Sequence, residues 1–292
     1  DRIMPEHETT TWYGDGGSTK SMTAGVVALC CALGIGVGPF APTKQVVPLV
    51  IDYETTADEH AERLQAICAG LEVQVPHIMY REQIRPVADD IQQIRRQVQR
   101  VGAGLVIVDS IAPACGGAPE EAEVILRYFN ALRTLPCTRL NIAHVNRHDR
   151  TRPNGNDAPF GSIFTMNLSR SVWKVRRAET SPAANMIDVG MYHRKNNNGP
   201  RERPLGLRYI FEEGATLVRP LDVMKDVDLA TGASLADRLR IALARGALTT
   251  KELADETGAK EPTIRTTLGR MGDVQKMASE PGGRDRWGLK AA

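Results

Sequence analysis

The chain has 292 residues, 42% of them hydrophobic and 25% charged, and a net charge of only +2. That length can bury a core and still carry an accessory domain, while the near-neutral balance excludes a uniformly basic nucleic-acid binder, so any such surface must be local. The five cysteines (Cys30, Cys31, Cys68, Cys115, Cys137) show no paired metal spacing and fit a reducing, cytoplasmic compartment. No signal peptide or membrane-length apolar run is present, and an opening at Asp1 without Met fits a piece of something longer.

Thr9 to Tyr13 is β-branched and aromatic, the pattern of a strand. The next residues, Gly14-Asp15-Gly16-Gly17-Ser18-Thr19-Lys20-Ser21, read G-x-x-x-x-T-K-S. They lie one residue away from the phosphate-binding loop G-x-x-x-x-G-K-[ST]. Glycines let backbone N–H groups turn inward and cradle phosphate oxygens. Lys20 then reaches the β/γ-phosphates as a point charge, and the Ser21 hydroxyl holds Mg²⁺. The departure is Thr19, which stands where the pattern has its last glycine. Met22 to Leu33 is apolar and Ala-rich, a buried helix whose N-terminus faces the phosphates, so the cofactor-binding stretch runs from Gly14 to Met22. The bland alternative is a Gly-rich turn with a chance Lys-Ser.

Strands and helices then alternate. Gln45 to Tyr53 reads as a strand, Thr56 to Ala69 and Ile84 to Val101 as helices, and Gly104 to Ser110 as a continuous apolar strand. Glu120 to Leu135 reads as a helix, Thr138 to Val145 as a strand, and Arg170 to Arg177 and Ile187 to Tyr192 as two more strands. This predicts an α/β fold with a mostly parallel sheet covered by helices on both faces, its ligands at the carboxyl ends of the strands. Asp109 closes its strand, where a carboxylate suits Mg²⁺; a turn cap is the alternative. Glu54 follows the strand ending Ile51-Asp52-Tyr53, where an acid would orient and deprotonate a water. Asp52 and Glu54 alternate, so only one of them can face the nucleotide. His144 ends the next strand, as a phosphate sensor or as a satisfied core histidine. The loop Arg147 to Gly161 is polar and too long for an ordinary connection. Its Arg147, Arg150 and Arg152 suit nucleic-acid phosphates, or a solvated surface.

The order GDGGSTKS, VIDYE, VIVDS, AHVNR with its Arg-rich loop, and HRKNNNGP resembles the RecA-type ATPase core. More closely it resembles the RepA-like hexameric helicases and related AAA_25 ATPases, and more distantly the DnaB-like helicases, over Thr9 to Val218. The resemblance implies ATP and Mg²⁺ as cofactors, Glu54 as the catalytic glutamate and His144 as the sensor. It also implies a DNA-contacting loop at Arg147 to Gly161 facing the channel of a homohexameric ring. In that family a Lys-x-Arg pair reaches the neighbouring subunit's site. Lys195 takes the lysine position, Asn197 stands where the arginine would be, and Arg194 or Arg201 is the nearby substitute.

The composition changes near Leu221, so the expected domains are a core over 1–221, a polar linker over 222–233 and a small domain over 234–292. Ser234 caps a helix to Ala244, LTTKELADETG forms a second, Gly258 gives the turn, and Lys260 to Met271 forms a third. Val274 to Met277 and Arg286 to Leu289 would be wing strands around Glu280 to Gly283. The pattern resembles winged-helix domains, which bind DNA, here through Lys260, Arg265 and Arg270, or dock proteins. The expected whole is an ATP-driven DNA motor, a ring-forming replicative helicase of a plasmid, phage or other mobile element. An ATP-switched DNA-binding regulator and a recombinase are the alternatives; no membrane partner is expected.

Overall fold

The computed structural model describes residues 3–145, 158–159, 161, 163–277 and 285–290. The chain divides into two compact units, Asp1–Asp222 and Val223–Ala292.

The first unit is built on a nine-stranded sheet. Its strands are β1 (Thr9–Gly14), β2 (Val47–Asp52), β3 (Met79–Glu82), β4 (Ala103–Asp109), β5 (Thr138–His144), β6 (Ser171–Arg177), β7 (Met186–Asn196), β8 (Leu205–Glu212) and β9 (Ala215–Pro220). They lie in the order β3-β2-β4-β5-β1-β6-β7-β8-β9. All pairs up to β1/β6 are parallel, and the pairs from β6 to β9 are antiparallel. The mostly parallel, helix-covered sheet is therefore the fold class that the apolar strands predict. Strands β3, β8 and β9 are additions to that reading. β3 is short and nowhere fully buried, so it carries little apolar signal.

Alternation along the buried strands fills two layers. Val50, Leu105, Ile107, Leu140, Ile142 and Trp12 face one cluster with helix α1 (Lys20–Leu33) and helix α2 (Ala57–Leu71). Leu49, Ile51, Val106, Val108 and Tyr13 face the other, with helices α3 (Val87–Val101) and α5 (Ala122–Leu132). Each fully buried aliphatic side chain contributes about 1.5–3 kcal/mol, so these layers hold the strand ends in place. Pro48 sits inside β2 where the pairing to β4 shifts register, which is how an interior strand accommodates a residue with no N–H. The helix expected from Ile84 starts only at Val87. Pro86 is its N-cap, and proline disfavours helical backbone at the Arg85 before it. Two short helices complete the unit, α4 (Ile111–Ala114) and α6 (Ile163–Leu168).

The second unit opens with a 3-10 turn, Val223–Lys225, and helix α7 (Val227–Gly232). The polar stretch expected to be a plain connector is thus largely helical, because Asp226 caps it by accepting from Leu229 N–H at 2.9 Å. Helices α8 (Leu235–Ala244), α9 (Thr250–Thr257) and α10 (Glu261–Arg270) enclose a core of Leu239, Leu243, Leu253, Ile264 and Leu268. Thr249 and Glu252 form a capping box on α9, and Gly258 ends that helix at φ +67°. Strands β10 (Leu248–Thr249), β11 (Val274–Met277) and β12 (Arg286–Leu289) form an antiparallel sheet in the order β10-β12-β11. The turn expected over Glu280 to Gly283 lies outside the described residues.

Candidate functional site

The parallel register gathers the sequence's candidates at one edge of the sheet. Gly14 lies opposite His144, and Asp52 lies opposite Asp109. Above these strand ends is a cleft of about 580 Å³. Its walls include Gly17 to Met22, Glu54, Asp109 and His144, with Arg63 of α2 on one side and Arg177, Ile187 and Phe211 on another. Gly14, Asp15 and Gly16 lead the chain into it. A smaller hollow of about 90 Å³ beside Ile3, Val27, Phe40 and Leu105 is mostly apolar and holds none of these residues.

The loop has the shape its glycines predict, with two particulars. A side chain at Gly14 would place its Cβ 2.1 Å from the Val175 carbonyl oxygen of β6, so the first glycine answers to a neighbouring strand. Gly17 has φ +73°, and Thr19 is also left-handed, at φ 62° and ψ 21°. The pattern's missing glycine is therefore a real departure, since a left-handed backbone costs a non-glycine residue roughly 1–2 kcal/mol. Lys20 is buried and donates to Gly14 O at 3.0 Å, Asp15 O at 2.8 Å and Ser18 Oγ at 3.3 Å. Burial lowers its pKa, against the pull of the Asp109, Glu54 and Asp15 carboxylates.

The two strand-end acids have opposite electrostatics. Asp109 is buried, which pushes its carboxyl up to about 6, although the Ser21 side chain bonds to it and Lys20 is near. Glu54 is half-exposed and its pKa is lowered to about 2, first by hydrogen bonding to His144, then by Ser110 and the Lys20 charge. His144 Nε2 lies 3.3 Å from Glu54 Oε1, and the Ser110 hydroxyl donates to the same oxygen. Asp52 has a different task. Its Oδ1 accepts from the N–H groups of Glu54 at 2.8 Å and Thr55 at 3.0 Å, so it shapes the loop that aims Glu54 into the cleft. Of the two acids that sequence left open, Glu54 lines the cleft and Asp52 supports it.

A hydroxyl bonded to a buried carboxylate, beside a phosphate loop, is an oxygen donor set that fits Mg²⁺. Among the described residues no cluster of three His, Cys, Asp or Glu could hold a metal alone. Ser21 and Asp109 would thus share the ion with phosphate and water oxygens.

Other candidates lie elsewhere. Lys195 Nζ donates to the carbonyls of Met166 at 2.7 Å, Asn167 at 2.9 Å and Ser169 at 2.8 Å, closing the end of α6. To reach a neighbouring subunit it would have to leave all three. Arg194 stacks its guanidinium 5.7 Å from the Tyr192 ring centre. Asn197 donates its N–H to Arg170 O at 2.9 Å, and Arg201 is exposed. Arg147, Arg150 and Arg152 lie outside the described residues. In the second unit, Lys260 is the N-cap of α10, Arg265 pairs with Glu261 at 2.8 Å and Arg270 is exposed. Sequence reading passed over Ser110, Arg63, Arg177 and Phe211. Ser110 carried a signal as the hydroxyl beside the strand-end acid; the other three are brought to the cleft only by folding.

The AAA_25 family, an AAA domain, matches residues 1–149 of the chain. No curated protein matches it. Among solved structures it is similar to a KaiC-like protein, PH0186, of the hyperthermophilic archaeon Pyrococcus horikoshii OT3. That match has 13% identity, a TM-score of 0.49, and covers 74% of this chain and 90% of the other. No helix among the described residues is long and apolar enough to cross a membrane.

Proposed function

The chain belongs to the AAA_25 family and is a RecA-type ATPase; from that premise we propose that it is an ATP-driven DNA motor, a ring-forming replicative helicase of a mobile element. The observation that carries this reading is the contact between Glu54 and His144, three residues before Arg147. One hydrogen bond thereby joins the hydrolytic acid to the strand that runs into the Arg-rich loop.

The residues act as follows. Lys20 is satisfied by neutral oxygens of its own loop. Phosphate oxygens are stronger, charged acceptors and draw it away. Mg²⁺, held by Ser21 and Asp109, would neutralise charge on the β- and γ-phosphates. Glu54 at about 2 is ionised yet a poor proton acceptor while His144 and Ser110 hold it. It becomes an effective base for water when those bonds are exchanged for substrate. His144 would then be released to sense the γ-phosphate, and Arg147, Arg150 and Arg152, which follow β5 in sequence, would hold single-stranded DNA. At the far wall Ile187 and Phe211 offer apolar surface to a base. The second unit fits a winged helix, with exposed Lys260 at the N-cap of α10 and exposed Arg265 and Arg270 on that helix as the residues for duplex DNA.

The test is ATPase activity with and without single-stranded DNA, oligomer mass by light scattering, and strand separation on a forked duplex. DNA-stimulated turnover, a hexamer and unwinding are expected. ATP-dependent DNA binding without strand separation would sink the motor and favour the regulator; filaments on single strands would favour the recombinase.

A further inference from the structure

The loop's one departure from its pattern is matched by a chain of hydrogen bonds that reaches β8 in the antiparallel part of the sheet. Thr19 is β-branched and left-handed, at φ 62° and ψ 21°, and its own side chain does not cap the helix it begins. It folds back instead onto the Ser18 carbonyl at 2.6 Å. The Thr19 carbonyl accepts twice from one residue, from Thr23 N–H at 2.8 Å and from Thr23 Oγ1 at 2.8 Å. Thr23 Oγ1 in turn lies 2.9 Å from the Tyr209 hydroxyl of β8. Thr23 and Tyr209 are both fully buried, so neither hydroxyl has water as an alternative. Thr23 has one hydroxyl proton and gives it to Thr19. Tyr209 must therefore be the donor in the second bond. Burial also raises the phenol pKa, which keeps that proton in place.

The consequence lies in one peptide plane. The Thr19 carbonyl and the Lys20 N–H belong to the same trans, planar group and point in opposite directions. Anchoring the carbonyl down the helix aims the Lys20 N–H up at the phosphates. In a loop with glycine at this place the backbone adopts the left-handed turn without assistance. Here a threonine does it, its carbonyl held by Thr23 of α1, which is itself held by Tyr209 of β8.

We infer that Tyr209 is a positioning residue for nucleotide binding, acting through Thr23 on the strained Thr19 of the phosphate loop. The inference rests on the reading of this cleft as the ATP site. The clamp orients a donor used by bound ATP and by the transition state alike, so its loss raises KM and leaves kcat nearly unchanged.

The experiment is a cycle of Tyr209→Phe and Thr19→Gly in the full chain. It reads ATP affinity by titration with a slowly hydrolysed analogue, kcat and KM by steady-state assay, and thermal melting of each variant as a check on folding. Tyr209→Phe in the parent is expected to weaken ATP binding about five- to tenfold, the worth of one buried hydrogen bond, with kcat within about twofold. Measured against its own Thr19→Gly background, the same change is expected to cost less than about twofold, because glycine needs no clamp. Thr23→Ser keeps the hydroxyl and is expected to retain parental affinity, whereas Thr23→Val loses it. Tyr209→Phe with parental affinity, or an equal loss in both backgrounds, would overturn the inference. So would a loss confined to kcat. Lys20→Ala separates the two levels: a parent that binds ATP no better than Lys20→Ala refutes the reading of the cleft, whatever Tyr209 does.

Discussion

Lys20 and Lys195 each give their ammonium protons to three oxygens of their own chain. Both have pKa values lowered chiefly by burial. Their surroundings differ. Lys20 opens onto the 580 Å³ cleft with three carboxylates pulling its charge toward it. Lys195 lies on β7, where among the described residues the charge acting on it is the like charge of Arg170. The same contrast divides the halves of the sheet. Polar groups at the ends of the parallel strands face the cleft in bonds a substrate can replace. Polar groups of the antiparallel strands are committed to the fold: Arg208 makes a two-pronged bond to buried Asp188 at 2.7 and 2.6 Å, and His193 stacks on Trp173. A count of hydrogen bonds does not distinguish the two lysines; the cleft and the carboxylates beside Lys20 do.

The largest expected effect tests this pairing directly. Lys20→Ala should reduce ATP turnover by at least about 10²–10³-fold, because the phosphates lose a preorganised donor, while the melting temperature stays within a few degrees of the parent. Lys195→Ala should do the reverse. Leaving the α6 carbonyls without their donor should cost about 2 kcal/mol, lowering the melting temperature by about 4–8 °C, with turnover of the folded protein within about threefold. A deep loss of turnover in Lys195→Ala, recovered on mixing with Glu54→Gln subunits, would break the comparison. It would make Lys195 the trans-acting residue that the family resemblance implies.

Next in size are the two acids after β2. Glu54→Gln should bind ATP with nearly parental affinity and hydrolyse it about 10²–10⁴-fold more slowly. Asp52→Asn keeps one acceptor oxygen for the loop, so its loss should be about tenfold. Equal losses in kcat, measured side by side under saturating ATP, would mean that Asp52 takes part in the chemistry.

The last effect belongs to the antiparallel half and appears in stability. His193 accepts from the Glu202 N–H at Nδ1 and shares a bond with Ser171, and burial lowers its pKa to about 4. The folded state therefore binds this proton less well than the unfolded chain, whose histidine titrates near 6.5. The resulting stability is fully present above about 6.5 and is lost as the pH falls toward 4. Between pH 7 and pH 5 the parent should lose about 2 kcal/mol more than His193→Gln, measured by urea unfolding at both values. Parallel pH profiles for the two proteins would show that His193 is not buried neutral.

Much of this was legible because it is local. The phosphate loop, the apolar strand ending in Asp109 and the following strand ending in His144 are each written in a few consecutive residues. So is the capping box of α9, where Thr249 and Glu252 answer one another within a turn. Strands β8 and β9 escaped sequence reading because their outer positions are polar and partly exposed, which dilutes the alternation. Helix α7 escaped because a short polar run looks like a linker until Asp226 caps it.

By itself, then, the sequence determined the set of candidates: a lysine and a hydroxyl at a helix start, and carboxylates at strand ends, follow from residue order and the period of a strand. Only the tertiary structure decided what each polar group does. Asp52 and Glu54 are two residues apart and both acidic, yet the loop's own N–H groups take one and the cleft receives the other. Thr19 reads as a flaw in a motif until Tyr209, 186 residues beyond Thr23, is seen holding the other end of its hydrogen-bond chain. Such partners meet only when the sheet forms, because parallel register and burial bring distant hydroxyls and carbonyls together where water cannot satisfy them.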